Sequence, residues 1–240
     1  IGKISGCGMG IRNICYRPHT DAYQRQKGNP KFVDIVDLSD VKIHDIQTKI
    51  PELPKELEKS GAIVLTEGLT EIKRLLDLDG FYFAFRVVIE HTTIGYIDLS
   101  RTQFAEHLSA VGCVFEEGLE ATAANFGPFT TFNECRFIGY ASFNFATFDR
   151  SRFREAIFND TADFYTSIFN APSTFNEAIF KGKADFSNVT VDGQIIFDKA
   201  TFCDGASFDD ARPDRSAAPL SFNATEFCKH PPSFFGRKMH

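Results

Sequence analysis

A chain of 240 residues, 43% hydrophobic and 24% charged with a formal charge of -6, is long enough for one large domain or two small ones with a sizeable core. The weak negative charge excludes a general binder of nucleic acid or anionic membrane, and no apolar run reaches the roughly 18 to 20 residues of a spanning helix. The composition is odd in one respect: 27 Phe stand against 6 Tyr, 2 Met and no Trp, a bias that ordinary packing does not demand.

No signal-peptide pattern opens the sequence, and its first residue, Ile1, suggests a fragment or a processed product. The first ninety-odd residues show no repeat. Residues 51–59 and 69–76 predict short helices and residues 81–90 a strand, so residues 1–93 read as a small α+β cap on the remainder of the chain. Gly6, Gly8 and Gly10, interleaved with Cys7 and Met9, hint at a phosphate cradle, but no Lys-Ser and no strand–helix pattern comes after them, so coil is expected there. The cysteines (Cys7, Cys15, Cys113, Cys135, Cys203, Cys228) are far apart, with no CxxC. They predict reduced thiols in a cytoplasmic setting rather than a disulfide framework. The histidines (His19, His44, His91, His107, His230, His240) form no HExxH. Cys228 and His230 lack a second pair of ligands, so neither a metal nor a cofactor is expected.

From residue 97 the chain repeats. Leu99, Phe104, Ala110, Phe115, Ala121, Phe126, Phe132, Phe137, Phe143, Phe148 and Phe153 head a series of unit centres. It continues through Phe158, Phe164, Phe169, Phe175, Phe180, Phe186, Val191, Phe197, Phe202 and Phe208, in steps of five or six residues. Two residues before most centres lies a small side chain, as at Cys135, Ala141, Ser151, Ala162 and Ser173; Leu108 before Ala110 and Leu119 before Ala121 reverse the sizes. Constant volume over two positions is what a close-packed interior requires. On a helix Phe164 and Phe169 would point about 140° apart, and alternating steps of five and six break the period of a long strand. The pattern fits a chain that turns a corner after each unit. Asn or Asp often follows the centre, and Gly139, Gly182 and Gly193 come one residue later.

Stretches such as Ala162-Asp163-Phe164-Tyr165-Thr166, Ala184-Asp185-Phe186-Ser187-Asn188 and Ala200-Thr201-Phe202-Cys203-Asp204 resemble pentapeptide repeats. The resemblance runs from about 97 to 208 and resumes near 220–227. It implies a right-handed quadrilateral parallel β-helix over residues 94–240, mainly β, with four units per coil. The extra residues at Pro172, Lys183, Gln194 and Gly205 read as bulges at two corners. Each coil then holds two units of five and two of six, and there are about five coils in all. A loop at about 210–219 is expected to interrupt the stack, and residues 231–240 suggest the start of another coil.

Stacking by one such coil predicts outward columns. One carries Asp98, Glu120, Ser142, Asp163, Asp185 and Ser207; a second runs through Glu134, Glu155 and Glu177 to Lys199; a third holds Val114, Arg136, Ile157, Ile179 and Thr201. Asp98, Glu120, Asp163 and Asp185 could face a basic partner, or serve only solubility and the repeat consensus. Val114, Ile157 and Ile179 could contact the N-terminal segment or a second chain, so a homodimer is one candidate assembly. Arg150, Arg152 and Arg154 could grip a phosphate, but Asp149 and Glu155 flank them. These features predict a non-enzymatic interaction or scaffold module with a protein partner and no direct nucleic-acid binding. The resemblance supplies two alternatives: a DNA mimic that occupies a topoisomerase, and a repeat module of a larger signalling or membrane-associated protein. An enzyme centred on His44 or His91 would need a nucleophile, a base and an orienting group that the sequence does not assemble.

Overall fold

The computed structural model describes the strands Ile14–Tyr16, Val36–Asp37, Glu58–Lys59 and Ala62–Val64, then residues 71–83, 86–213 and 220–236. The described residues contain strands and no helix, wound into a β-solenoid of about 6 turns. Each coil has four faces, numbered by their centres. Face one carries Phe83, Phe104, Phe126, Phe148, Phe169 and Val191; face two Ala110, Phe132, Phe153, Phe175, Phe197 and Phe222. Face three carries Phe115, Phe137, Phe158, Phe180, Phe202 and Phe227; face four Leu99, Ala121, Phe143, Phe164, Phe186 and Phe208. Faces one and two are separate parallel sheets, whereas faces three and four share a third. Thr93–Asp98 and Val114–Glu120 run through both of the latter faces, and their pairing shifts register between Phe115 and Gly118.

The registers confirm the coil length and refine it. Val114 pairs with Arg136 and Ile157 with Ile179, each a full coil on, whereas Arg136 pairs with Ile157, one position short of a full coil. In that coil Phe148 and Phe153 stand only five apart; Phe83 over Phe104 and Val87 over Leu108 mark another coil that is one position short. Phe rings stack down every face. On face two, Phe153 lies 4.7 Å from Phe175 at 1°, and Phe175 lies 5.1 Å from Phe197. On face three, Phe137, Phe158, Phe180 and Phe202 follow at 4.6–4.8 Å. Neighbouring columns meet edge to face, as do Phe153 and Phe164 at 90°. Offset or perpendicular rings suit the aromatic quadrupole, and the coil rise of about 4.8 Å sets the stacked spacing. Coil spacing and ring stacking thus demand the same repeat, which is why one side chain dominates the composition.

The small inward residues add a hydrogen bond. Thr102 Oγ1 donates to Leu78 O, Ser167 Oγ to Phe143 O and Thr225 Oγ1 to Phe197 O, each at 2.7 Å. Cys113 and Cys135 donate in the same way to Ile89 O and Ala110 O. Hydroxyls and thiols at most of these positions therefore replace alanine with their polar atom paired; Thr130 Oγ1, two residues before Phe132, is buried without a partner.

The corners are of two kinds. After faces two and four the residue two beyond the centre has φ near +60°, as at Glu134, Phe145, Glu155, Thr166, Glu177 and Lys199. The next amide bonds back to the centre's carbonyl, as Ala146 N does to Phe143 O at 3.1 Å. That is the pattern of a type II turn. The corners after faces one and three are wider and absorb the sixth residue. Gly139, Gly182 and Gly193 sit at these wide corners for space rather than for backbone freedom: a Cβ on Gly139 would lie 2.2 Å from Glu117 O, and one on Gly182 2.4 Å from the Asp160 carbonyl carbon.

Three expectations are corrected. The described part of the helix expected over 69–76 is strand: Glu71–Asp77 pairs in parallel with Thr93–Asp98. The decisive pattern there is period two, with Leu76 and Leu78 fully buried and Asp77 and Asp79 outward; stacking overrides local helix propensity. The described residues within 81–90 form two strands rather than one, Tyr82–Phe83 on face one and Arg86–Val88 on face two. The loop expected at about 210–219 begins later than 210, since Arg212–Pro213 still pairs with Thr190–Val191. Pro213 stands in the last strand of its sheet, where a missing N–H costs no ladder bond. Pairing resumes at Leu220–Ser221, which meets Ile195–Ile196, so the connection over 214–219 lengthens that coil.

At the N-terminal end, Ile14–Tyr16 runs antiparallel to Tyr82–Phe83, and Glu58–Lys59 antiparallel to Ala62–Val64. The helix expected over 51–59 lies outside the described residues at 51–57, and its last two residues are strand. The glycine-rich run at 6–10, Cys7, His19, His44 and His240 also lie outside the described residues.

Candidate interaction surface

The acidic column exists as a register of paired strands. Asp98 pairs with Glu120, Glu120 with Ser142, Ser142 with Asp163, Asp163 with Asp185 and Asp185 with Ser207. Asp77 adds a further carboxylate at its head. All four candidate carboxylates are half-buried, and each accepts from the amide two residues on: Ser100 N to Asp98, Thr122 N to Glu120, Tyr165 N to Asp163 and Ser187 N to Asp185, at 2.8–3.0 Å. Ser207 Oγ accepts from Asp209 N in the same manner, and on face two Thr131 and Thr174 do likewise. This local side-chain bond shapes the approach to a type II corner. It explains why Asp, Glu, Ser and Thr interchange just before the centres of faces two and four. The column is thus part of the corner chemistry as well as a surface charge.

Around Asp163 the site holds more than carboxylates. Tyr140 Oη donates to Asp163 Oδ2 at 2.6 Å, and Asn144 Nδ2 donates to the same atom at 3.0 Å. Burial and the adjoining Asp163 push the Tyr140 phenol well up from its ordinary pKa, so it remains a donor across the neutral range. Tyr165 and Phe145 meet edge to face at 5.9 Å. Tyr140 and Tyr165 are 40% exposed and Phe145 54%. Phe145 also occupies a left-handed turn position, φ 57°, where a bulky side chain is uncommon. Sequence periodicity does not reveal this aromatic group, because its members occupy three different positions of their units; only the wide corner and the turn bring Tyr140 to Asp163 and Phe145 to Tyr165.

The apolar column is likewise in register: Val114 over Arg136, Ile157 and Ile179, ending at Thr201. Val114, Ile157 and Ile179 are each partly exposed, and Arg136 is exposed. Faces three and four share a sheet, so the apolar and acidic columns flank one corner of the solenoid. The glutamate column lies at a type II corner, with Lys199 Nζ 3.7 Å from Glu177. Of the three arginines, Arg154 pairs with Glu155 at 2.8 Å and Arg152 lies over the Phe129 ring at 4.7 Å. A shallow recess of about 560 Å³ lined by Arg86, His107, Leu108, Ser109, Phe129 and Thr131 adjoins them on face two.

Among the described residues, no group of three or more His, Cys, Asp or Glu is placed to hold a metal ion, and no helix is long and apolar enough to cross a membrane. A family model described as pentapeptide repeats (9 copies) matches residues 132–179 and 175–217. Those residues include most of the stacked Phe columns, and the Phe-rich repeats of the structure fit a pentapeptide-repeat protein. No curated protein and no solved structure matches the chain.

Proposed function

We propose that the protein is a non-enzymatic interaction scaffold that binds a basic segment of a protein partner along face four, centred on Asp163. Phe145 carries this reading. Its left-handed φ is the corner geometry it shares with Glu134, Glu155 and Thr166, so what sets it apart is an exposed phenyl ring, 54% accessible, where the other corners carry mostly polar or small side chains. Tyr140, Tyr165 and Phe145 offer aromatic faces beside a carboxylate, a combination suited to lysine or arginine. Asp98, Glu120 and Asp185 extend the charge along the stack at the spacing of the coils. Val114, Ile157 and Ile179 offer the same partner, or a second copy of the chain, an apolar strip around the corner.

The experiment is a pull-down with the intact gene product compared with Phe145→Ala and with Asp163→Lys/Asp185→Lys, each first checked for an unchanged melting temperature. A specific partner retained by the parent and lost by both variants supports the proposal, and an unchanged set of partners removes face four from consideration. Mimicry of DNA is the second reading, favoured by the regular carboxylate spacing. Ser142 and Ser207 interrupt that column, however, and direct topoisomerase assays showing neither inhibition nor protection would end it.

A further inference from the structure

Cys203 and Cys228 are stacked on the surface of the solenoid. Each follows the centre of face three in consecutive coils, and the pairing of Thr201 with Glu226 and Phe202 with Phe227 sets them directly over one another. Their backbones are fixed, Cys203 N to Phe180 O at 2.8 Å and Cys228 N to Phe202 O at 2.9 Å. The two thiols are near enough to act on one another's charge. Cys228 is exposed and Cys203 partly so, whereas Cys113 and Cys135, stacked two residues before the centres of the same face, are buried.

We propose that Cys203 and Cys228 form a surface dithiol that closes to an intrachain disulfide by exchange with a small-molecule disulfide. Consecutive coils hold matching Cα atoms about 4.8 Å apart, inside the usual disulfide range of roughly 4.4–6.8 Å. Parallel in-register stacking also keeps the Cβ atoms near that spacing, slightly beyond the roughly 3.8 Å that a relaxed disulfide prefers. The bond therefore needs a small local shift and is readily reversed. The exposed Cys228 thiolate attacks one sulfur of the incoming disulfide and expels one small thiolate, leaving a mixed disulfide. The Cys203 thiolate then attacks the Cys228 sulfur and expels the second. Two protein thiols become one disulfide, one small-molecule disulfide becomes two thiols, and the two protons end on the leaving groups. Burial and the neighbouring Cys228 push the Cys203 thiol up, and Lys181 and Lys229 offset part of that rise. The bond would tie the coil before residues 214–219 to the coil after them.

The test treats the folded full chain with oxidised glutathione, then alkylates, digests with trypsin and maps the peptides. The proposal expects segments 200–215 and 216–229 to emerge joined as the dominant oxidised species, released by excess dithiol. It expects Cys203→Ser to stop at a stable glutathione adduct on Cys228. Oxidation in urea should reduce the joined pair to a minority of the pairings open to six cysteines. A folded wild-type chain that retains glutathione on Cys228 as Cys203→Ser does, or in which both thiols stay alkylatable, overturns the proposal.

Discussion

Replacing Phe164 by alanine tests the interior most directly. Phe164 has no exposed surface and lies 4.8 Å from Phe143 and 4.7 Å from Phe186 in parallel stacks. Phe153 and Phe175 approach it edge-on at 5.6 and 5.3 Å. A buried Phe→Ala change costs about 3–5 kcal/mol, and aromatic pairs contribute about 0.5–1.5 kcal/mol each beyond area. The coils above and below are held at fixed spacing by backbone ladders, so the cavity cannot collapse and the loss belongs near the upper end, about 5 kcal/mol. For a domain of this size that lowers the melting temperature by about 10–20 °C. Tyr165→Ala, one residue on but outward, removes a ring that is 40% exposed with one edge contact to Phe145, and should cost under about 1 kcal/mol. Thermal melts followed by circular dichroism compare the two. Equal losses would refute the inward assignment of the centres and the stacking argument with it.

Two further expectations concern the corners and the coil after residue 213. Gly139→Ala drives a Cβ against Glu117 O and should cost about 1–3 kcal/mol, whereas Gly205→Ala meets nothing within 4 Å and should melt as the parent does. Asp198 accepts from Ser221 Oγ at 2.5 Å and from Asn223 N and Nδ2 at 3.1 Å, which holds its carboxyl below the usual aspartate range. A depressed folded value means that its contribution is complete above the unfolded pKa of about 4 and is lost as pH falls through the lower folded value. Asp198→Asn should therefore lower the melting temperature at neutral pH and flatten its decline on the acid side. An unchanged acid slope would assign the anchoring of residues 221–223 to the strand ladder alone.

The repeat is legible in the sequence because each centre must fill the same axial volume. The trade between Leu108 and Ala110, or Leu119 and Ala121, appears in the structure as two buried positions sharing one space. The columns of Asp163 over Asp185 and Ile157 over Ile179 follow from the coil length alone. The strand at 71–77 reads as a helix because its leucines and charges suit a helix as well as a stacked strand, and only pairing with Thr93–Asp98 decides between them.

The content of each layer is therefore written in the order of the residues: which side chains fill the axis, and which lie one coil above which. The path around each coil is not. Type II turns follow faces two and four and wide corners follow faces one and three, a difference of backbone geometry that Glu134, Phe145 or Lys199 does not announce, since none is a glycine. That path alone brings Tyr140 to Asp163 and Phe145 to Tyr165 and sets Cys203 over Cys228 across the connection from 213 to 220. Contacts down the stack repeat with the chain and can be counted, whereas contacts across a corner depend on dihedral angles that no periodicity records.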